Sequence, residues 1–197
     1  MLSIMPAIIM IIDKIAIPSI REMCQIRFAP NQHGARQNHN INTAKIELLM
    51  QAKAEGLNKA LLLEVEKAFD CVNREKLEQQ IDIFCEKNQT LNIMLKYVLN
   101  IYIHINYNIC GALIEPTTGI PQGSIFGPTL PLIYINNTTK KANQLSENVT
   151  TEASADDTTI TSNDINRPQK AYDFFKQNAI KLDTKLNINK RELLSEP

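Results

Sequence analysis

The chain has 197 residues, 44% of them hydrophobic, which favours a globular protein with one substantial core. Its formal net charge of zero at pH 7 excludes an overall basic field that would attract a polyanionic partner. Its four cysteines form no CxxC pair, which argues against a secreted disulfide scaffold. The apolar opening at 1–12 is too short to span a bilayer and carries no basic lead, so we expect an intracellular protein, nuclear or cytoplasmic, without a membrane partner.

The first elements are indicated by apolar runs and helix-boundary residues. The opening run at 1–12 predicts a buried strand or helix. Asn42 is a residue type that caps helix N-termini and Gly56 one that ends helices, so a helix is predicted between them. The continuous apolar run at 61–65 predicts a strand that is buried on both faces.

The middle of the chain predicts helices around one strand. Apolar residues recur at helical spacing in 74–84 and in 91–102, which predicts two amphipathic helices. Asp70 is expected to cap the first of them. Strand character returns at 107–114, and a further helix is predicted over 130–143.

The last third contains two adjacent carboxylates, Asp156 and Asp157, between two weak strand signals. A turn here would place both carboxylates at the tip of a hairpin. Residues 152–155 are polar or small, so we expect this hairpin to be loosely packed. Pro168 opens a last predicted helix, which extends to Leu182. The order of the elements predicts an α+β fold.

Three carboxylates at predicted strand ends form the most specific chemical pattern. Glu64 lies in the apolar run at 61–65, and Asp156 and Asp157 follow much later in the chain. Adjacent carboxylates repel each other unless a cation lies between them, and hard cations take oxygen ligands. These three residues are therefore candidate ligands of two Mg²⁺ ions, the arrangement that nucleotidyl transfer requires.

Two other patterns are less specific. Cys24, His33 and His39 lack a fourth ligand of standard spacing, so we do not expect a zinc centre from them. Basic residues predominate between Arg167 and Arg191. They either line a phosphate backbone or cover an ordinary solvated helix.

Five segments, in order along the chain, carry a family resemblance. Residues 63–73, 119–124 and 155–158 resemble the first three palm motifs of reverse transcriptases, in particular the non-LTR retrotransposon type. Residues 31–36 are similar to the fingers segment of these enzymes, and residues 185–190 to their fourth palm motif. The resemblance implies a reverse-transcriptase-like palm, an antiparallel sheet with helices on one face, together with partial fingers.

The same resemblance predicts the domain organisation. Residues 1–60 correspond to part of the fingers and residues 61–197 to the palm, which together make one incomplete reverse transcriptase domain. No thumb is expected after the fourth palm motif, and no endonuclease domain before the fingers. The chain is therefore interpreted as a truncated fingers–palm fragment of a mobile-element polymerase.

The resemblance also implies roles for residues of the first and third motifs. Glu64, Asp156 and Asp157 would be the catalytic residues that hold two Mg²⁺ ions. The carbonyl of Val65 would add an oxygen ligand. Phe69 would be an aromatic gate whose ring clashes with a ribose 2′-hydroxyl, which implies deoxynucleotides and disfavours an RNA polymerase. A plain core position for Phe69 is the alternative.

Four further residues would contact the nucleotide. Gln122 matches a glutamine that contacts the incoming nucleotide, and Gly123 permits close approach of the backbone. Arg36 matches a fingers position that pairs bidentately with phosphates, and Lys190 would act as an acid or cation near the pyrophosphate. An ordinary surface arginine and a solvated lysine are the alternatives for the last two.

One departure from the family pattern bears on activity. Position 64 is Glu where the family usually has Asp, and displacing a catalytic group by about an ångström costs on the order of 10²-fold in rate. Two interpretations stay open. The chain is either an RNA-directed DNA polymerase, with an RNA template, a DNA primer and dNTPs as partners, or an inactive retroelement remnant that binds nucleic acid weakly at most. The oligomeric state is not indicated.

Overall fold

The computed structural model describes residues 7–66, 68–101, 117–120, 127–142, 144, 149–154, 157–163, 166–187 and 192–195. Within these ranges the chain forms six helices and four strands. In chain order they are α1 (Ala7–Gln25), α2 (Ile41–Glu55), β1 (Lys59–Glu64), α3 (Arg74–Cys85), α4 (Gln89–Ile101), α5 (Thr129–Ala142), β2 (Val149–Ser154), β3 (Asp157–Ser162), α6 (Asn166–Lys181) and β4 (Glu192–Ser195).

The four strands form one antiparallel sheet in the order β2-β3-β1-β4. β1 pairs with β3 on one side and with β4 on the other. β2 and β3 form the predicted hairpin, with Ser154 opposite Asp157, and residues 155–156 at its predicted tip lie outside the described residues. The expected α+β fold with an antiparallel sheet is confirmed.

The two faces of β1 have different surroundings. Leu61 and Leu63 are buried and pack with Ile160 of β3 and with α6. Because side chains alternate along a strand, Leu62 and Glu64 point to the opposite face, where both are partly exposed. The prediction of a strand buried on both faces is therefore wrong. One face carries helices, and the other lines a cleft.

A larger apolar cluster lies among α1, α3, α4 and α5. Ile20, Leu77, Leu95 and Ile133, one from each helix, are almost fully buried in it. Each such side chain contributes about 1.5–3 kcal/mol by leaving water. The apolar opening of the chain thus leads into a helix, α1, although residues 1–6 lie outside the described part of the chain.

The N-terminus of α2 is capped by Asn40 rather than by the predicted Asn42. The Asn40 side chain accepts hydrogen bonds from the N–H groups of Asn42 (2.8 Å) and Thr43 (3.0 Å). The Thr43 hydroxyl in turn accepts from the Asn40 N–H at 2.8 Å, which completes a capping box. Gly56 ends the helix as predicted, in a left-handed conformation.

The predicted cap of α3 is also wrong. Asn73, not Asp70, occupies the N-cap position, and its side-chain oxygen accepts from the Lys76 N–H at 3.1 Å. Asp70 lies too far before the first turn of the helix to reach its free N–H groups.

The β2–β3 hairpin is tightly packed, so the expectation of loose packing is wrong. Thr151 and Ala153 are fully buried, and Glu152 is only 5% exposed. The loop before α2 runs along β2. Its His33 N–H donates to the Ala153 carbonyl at 2.7 Å, and the Ala153 N–H donates to the Asn31 carbonyl at 2.9 Å. Small and polar residues suffice in β2 because this loop and α2 cover the strand.

The remaining predictions differ little from the structure. Helices predicted over 74–84, 91–102 and 130–143 and after Pro168 correspond to α3, α4, α5 and α6. The strand predicted at 107–114 lies outside the described residues. β4 is not predicted by the sequence pattern. None of the helices that the structure describes is long and apolar enough to cross a bilayer.

Candidate active site

Two of the three predicted metal-binding carboxylates lie on neighbouring strands. Glu64 is the last residue of β1 and Asp157 the first of β3, and the antiparallel register pairs them directly. Side chains of directly paired residues share one face, with Cβ atoms about 4.5–5.5 Å apart. Asp156 lies outside the described residues. The register therefore brings Glu64 and Asp157 together at one end of the sheet.

The two carboxylates line a cleft of about 420 Å³. The open face of the sheet contributes Leu62 and Thr159, and α2 contributes Ile41, Ala44 and Leu48. The lining also includes Lys45 and Glu152, so the cleft combines apolar groups with charged ones. Its volume falls in the range of about 300–1,000 Å³ that is typical of small-molecule sites.

Like charges on directly paired strand residues destabilise a sheet, and a cation between them offsets that repulsion. Asn187 supplies a weak polar contact, since its Nδ2 lies 3.4 Å from Oε2 of Glu64. Neighbouring carboxylates form the oxygen donor set that hard divalent cations take. Glu64 and Asp157 therefore fit a magnesium ion placed between them.

The segment that follows α6 holds the backbone next to Glu64. The Asn187 N–H donates to the Glu64 carbonyl at 2.8 Å, and the Glu66 N–H donates to the Lys185 carbonyl at 2.7 Å. Val65 forms an isolated antiparallel bridge with Leu186 between these two bonds. The candidate fourth motif thus pairs with the first, while Lys190 lies outside the described residues.

Phe69 lies beyond this segment, with its ring at the surface. Its side chain is 40% exposed, which argues against a plain core position. It lines a small hollow with Val65, Pro131 and Tyr134. An exposed ring five residues after Glu64 is compatible with the predicted gate, whose role stays a prediction.

Residues 117–120 dock on the chain that follows Phe69. The Ile120 N–H donates to the Phe69 carbonyl at 2.9 Å, and the Gly119 N–H donates to the Val72 carbonyl at 2.8 Å. The second candidate motif thus begins in direct contact with the first.

Gly119 and Arg74 stabilise the contact between residues 117–120 and the chain that follows Phe69. Gly119 has a φ of +83°, and a Cβ there would lie 3.2 Å from the Asp70 carbonyl oxygen. The Arg74 Nε donates to the Gly119 carbonyl at 2.9 Å, and burial lowers the pKa of Arg74. Gln122 and Gly123 follow this anchored turn but lie outside the described residues.

The family of the chain is shown by comparison with known proteins. A family model described as "Reverse transcriptase (RNA-dependent DNA polymerase)" matches residues 1–197. The chain belongs to the reverse transcriptase family. No curated protein sequence matches this reverse transcriptase chain significantly.

Solved structures of telomerases share the fold of this reverse transcriptase chain. Apo telomerase from Candida tropicalis, truncated from its C-terminal domain, superposes with a TM-score of 0.69 at 13% identity, over 92% of this chain and 41% of that one. A second apo structure from that species gives 0.65 at 13% identity, over 93% and 36%. Telomerase from Candida albicans, in complex with the TWJ fragment of telomeric RNA, gives 0.62 at 8% identity, over 94% and 34%. The reverse transcriptase chain thus spans less than half the length of these telomerase chains.

Arg36 of this reverse transcriptase lies in the loop before α2, outside the described lining of the cleft. Its Nη1 donates to the carbonyls of Ala29 (3.0 Å), Pro30 (3.1 Å) and Gln32 (2.9 Å). Burial is the main cause that lowers the pKa of Arg36. The guanidinium therefore stabilises the loop through these hydrogen bonds. The contact of Arg36 with a phosphate stays a prediction.

The basic residues near the C-terminus of this reverse transcriptase are exposed where the structure describes them. Lys170, Lys176 and Lys181 lie on α6, and Lys185 follows it. α6 packs on the face of the sheet opposite the cleft, and none of these four lysines is among the described lining residues of the cleft, whereas Lys45 of α2 is. Their position favours a solvated helix over a surface for nucleic acid bound in the cleft.

Sequence analysis misses a cluster of ionisable residues beside the same cleft. His33 Nε2 lies 3.0 Å from Oε2 of Glu152 and 3.4 Å from Oε2 of Glu47. Burial, and secondarily the charge of Glu47, raises the pKa of Glu152 to about 8. The sequence contained one signal for this cluster, because Glu152 is a carboxylate in a strand where the reverse transcriptase pattern has apolar residues. A carboxylate that is buried in a strand needs a partner.

Proposed function

We propose that the chain is the fingers–palm part of an RNA-directed DNA polymerase from a mobile element of the non-LTR retrotransposon type. The observation that carries this proposal is the direct pairing of Glu64 with Asp157 at the edge of a cleft. The resemblance of residues 63–73 supports the non-LTR assignment. Division at about residue 60 into fingers and palm is part of the proposal.

In this proposal Glu64, Asp156 and Asp157 hold two Mg²⁺ ions. When bound, these ions lower the pKa of the primer 3′-hydroxyl and neutralise the leaving pyrophosphate. Two backbone hydrogen bonds keep Glu64 and Val65 in place. The Asn187 N–H donates to the Glu64 carbonyl, and the Glu66 N–H donates to the Lys185 carbonyl. The carboxylates thus need little reorganisation when the substrate binds.

Other residues of the chain would position the substrates. Phe69, whose ring is exposed, would exclude the 2′-hydroxyl of a ribonucleotide, and Gln122 and Gly123 would contact the dNTP after the anchored turn. Arg36 and Lys190 would contact phosphates. An RNA template and a DNA primer are the proposed partners. One structural neighbour was solved with a fragment of telomeric RNA, which supports RNA as a ligand of this fold.

A catalytically impaired remnant is the second candidate, and Glu64 favours it. The longer side chain shifts one carboxylate from the position that Asp would give it. Lys170, Lys176 and Lys181 lie on α6, which packs on the face of the sheet opposite the cleft, so this helix adds no basic residue to the described cleft lining. We therefore expect the polymerase fold to be kept and its rate to be low.

Primer extension on poly(rA)/oligo(dT) with Mg²⁺ tests both candidates. We expect weak extension by the unmodified chain and a rise on the order of 10²-fold with Glu64→Asp, because the shorter side chain restores the carboxylate position. Asp157→Ala in that background should abolish extension. Glu66→Gln, at an exposed position of the same segment, is the matched control and should leave the rate unchanged.

The outcomes separate the two candidates. Robust extension by the unmodified chain that Asp157→Ala abolishes would reject the remnant. No extension even with Glu64→Asp would reject the polymerase. Extension that survives Asp157→Ala would show that the acidic pair does not hold the catalytic ions.

A further inference from the structure

Three ionisable side chains from separate segments meet beside β2. His33 comes from the loop before α2, Glu47 from α2 and Glu152 from β2, and their candidate ligand atoms all lie within 4.8 Å of one another. His33 is 1% exposed and Glu152 4%, whereas half of the Glu47 side chain is exposed. The cluster is therefore buried on the side of the strand and open to solvent on the side of the helix.

The hydrogen bonds of His33 determine its tautomer. Its Nδ1 lies 3.0 Å from the Thr43 hydroxyl oxygen. That hydroxyl donates its single proton to the Asn40 carbonyl at 2.7 Å, so towards the ring it can only accept. Nδ1 therefore carries the ring proton of neutral His33, and Nε2 directs a lone pair at the two carboxylates.

Three electron-pair donors that face one another need a positive charge between them. The two carboxylate oxygens lie 3.0 Å (Glu152) and 3.4 Å (Glu47) from His33 Nε2, so one cation placed among the three atoms would contact all of them. A neutral imidazole is the form that binds metal ions.

We propose that His33 Nε2, Glu47 Oε2 and Glu152 Oε2 bind one divalent cation of the zinc type. A tetrahedral ion with bonds of about 2.0–2.1 Å holds its ligand atoms about 3.3 Å apart. The separations from His33 Nε2 to the two carboxylate oxygens, 3.0 and 3.4 Å, bracket that value. Three protein ligands leave one position for water.

The chemistry of the ligands favours zinc over the ions of the acidic pair. Mg²⁺ and Ca²⁺ prefer oxygen ligands throughout, whereas an imidazole with two carboxylates suits Zn²⁺. The hydrogen bond from His33 Nδ1 to Thr43 is the type of outer contact that orients ligating histidines. The proposed site shares only His33 with the set of Cys24, His33 and His39 that the sequence disfavoured, and Cys24 lies in the helical core.

The proposed ion would join the three elements that surround one end of the cleft. Glu152 lines the cleft, Glu47 lies on the helix that forms its wall, and His33 belongs to the loop that pairs with β2. The site therefore acts as a structural cross-link between the loop, α2 and β2. Its existence does not depend on polymerase activity.

Zinc titration of the full chain, freed of metal by a chelator, tests this site. We expect one Zn²⁺ per chain by competition with a chromogenic chelator. At a hundredfold excess over Kd, zinc should raise Tm by about 5–10 °C. Co²⁺ in place of Zn²⁺ should give a spectrum without thiolate-to-metal charge transfer, since the ligands are nitrogen and oxygen.

Glu152→Gln is the informative variant. A glutamine amide still donates to His33 Nε2, so the fold is kept, but it is not a metal-binding carboxylate. We expect zinc affinity to fall at least about 100-fold, because even an outer contact is worth about 10–100-fold. Glu47→Gln, at a half-exposed position, provides a second variant that leaves the core intact.

Two variants control for binding elsewhere. His39→Gln removes the neighbouring ring, whose centroid is 5.2 Å from that of His33, and should leave zinc affinity unchanged. Asp157→Ala should also retain it. The proposal is overturned if the unmodified chain binds no zinc, if both glutamine variants bind it normally, if either control loses it, or if cobalt shows thiolate bands.

Discussion

Gly119 and Gly56 both have left-handed backbones, with φ of +83° and +64°, but their surroundings differ. A Cβ on Gly119 would lie 3.2 Å from the Asp70 carbonyl oxygen, whereas no described atom lies within 4 Å of one on Gly56. We expect Gly56→Ala to lower the free energy of unfolding by about 1 kcal/mol, the cost of the left-handed backbone alone. Gly119→Ala should cost about 2 kcal/mol, since backbone atoms must also shift. Urea denaturation of both variants measures the difference, and equal losses would show that the contact with Asp70 adds nothing.

At the level of single residues, the sequence predicts a side chain well when its neighbours in the chain indicate where it lies. Glu64 and Asp157 are candidates from the sequence because each is an acid beside a strand signal, and the register pairs them. His33 and Glu152 could not be identified together. They are far apart in the sequence and meet only because the loop before α2 lies along β2.

The N-terminus of α3 provides a prediction at the level of the element. Asn73→Ala should lower the free energy of unfolding by about 1 kcal/mol, because the Lys76 N–H loses its side-chain acceptor. Asp70→Ala is the matched control and should leave that helix end unchanged, since Asp70 does not cap it. Chemical denaturation of the two variants measures the effect. If Asp70→Ala lowers the free energy of unfolding more than Asn73→Ala does, Asp70 caps the helix as the sequence predicted.

Elements with a strong local pattern are predicted well, and those defined by their partners are not. The helices α3 to α6 follow from apolar spacing, and α6 also from Pro168 near its start. β2 is polar, and its residues Thr151, Glu152 and Ala153 are buried because α2 and the loop before it cover the strand. β4 is only four residues long and is defined by its pairing with β1, which no local pattern reveals.

The described residues of the molecule form two apolar clusters that share elements. The helical cluster includes Tyr134 of α5 and Leu182, which directly follows α6. The cluster on the sheet includes Ala142, the last residue of α5, and Phe175 of α6. Because the same two helices contribute to both clusters, loss of either cluster disturbs the other. The described part of the chain should therefore unfold as one cooperative unit.

Tyr134→Phe tests how the two clusters are joined. The Tyr134 hydroxyl donates to the Leu182 carbonyl, and burial raises the pKa of Tyr134 to about 12. Removing the hydroxyl should lower the free energy of unfolding by about 1–2 kcal/mol, because a buried acceptor loses its donor. Tyr97→Phe, at a position 52% exposed on α4, is the control and should change stability by less than about 0.5 kcal/mol. In both variants, the unfolding transitions followed by far-UV and by near-UV circular dichroism should coincide. Separate transitions would show that the helical cluster unfolds independently of the sheet.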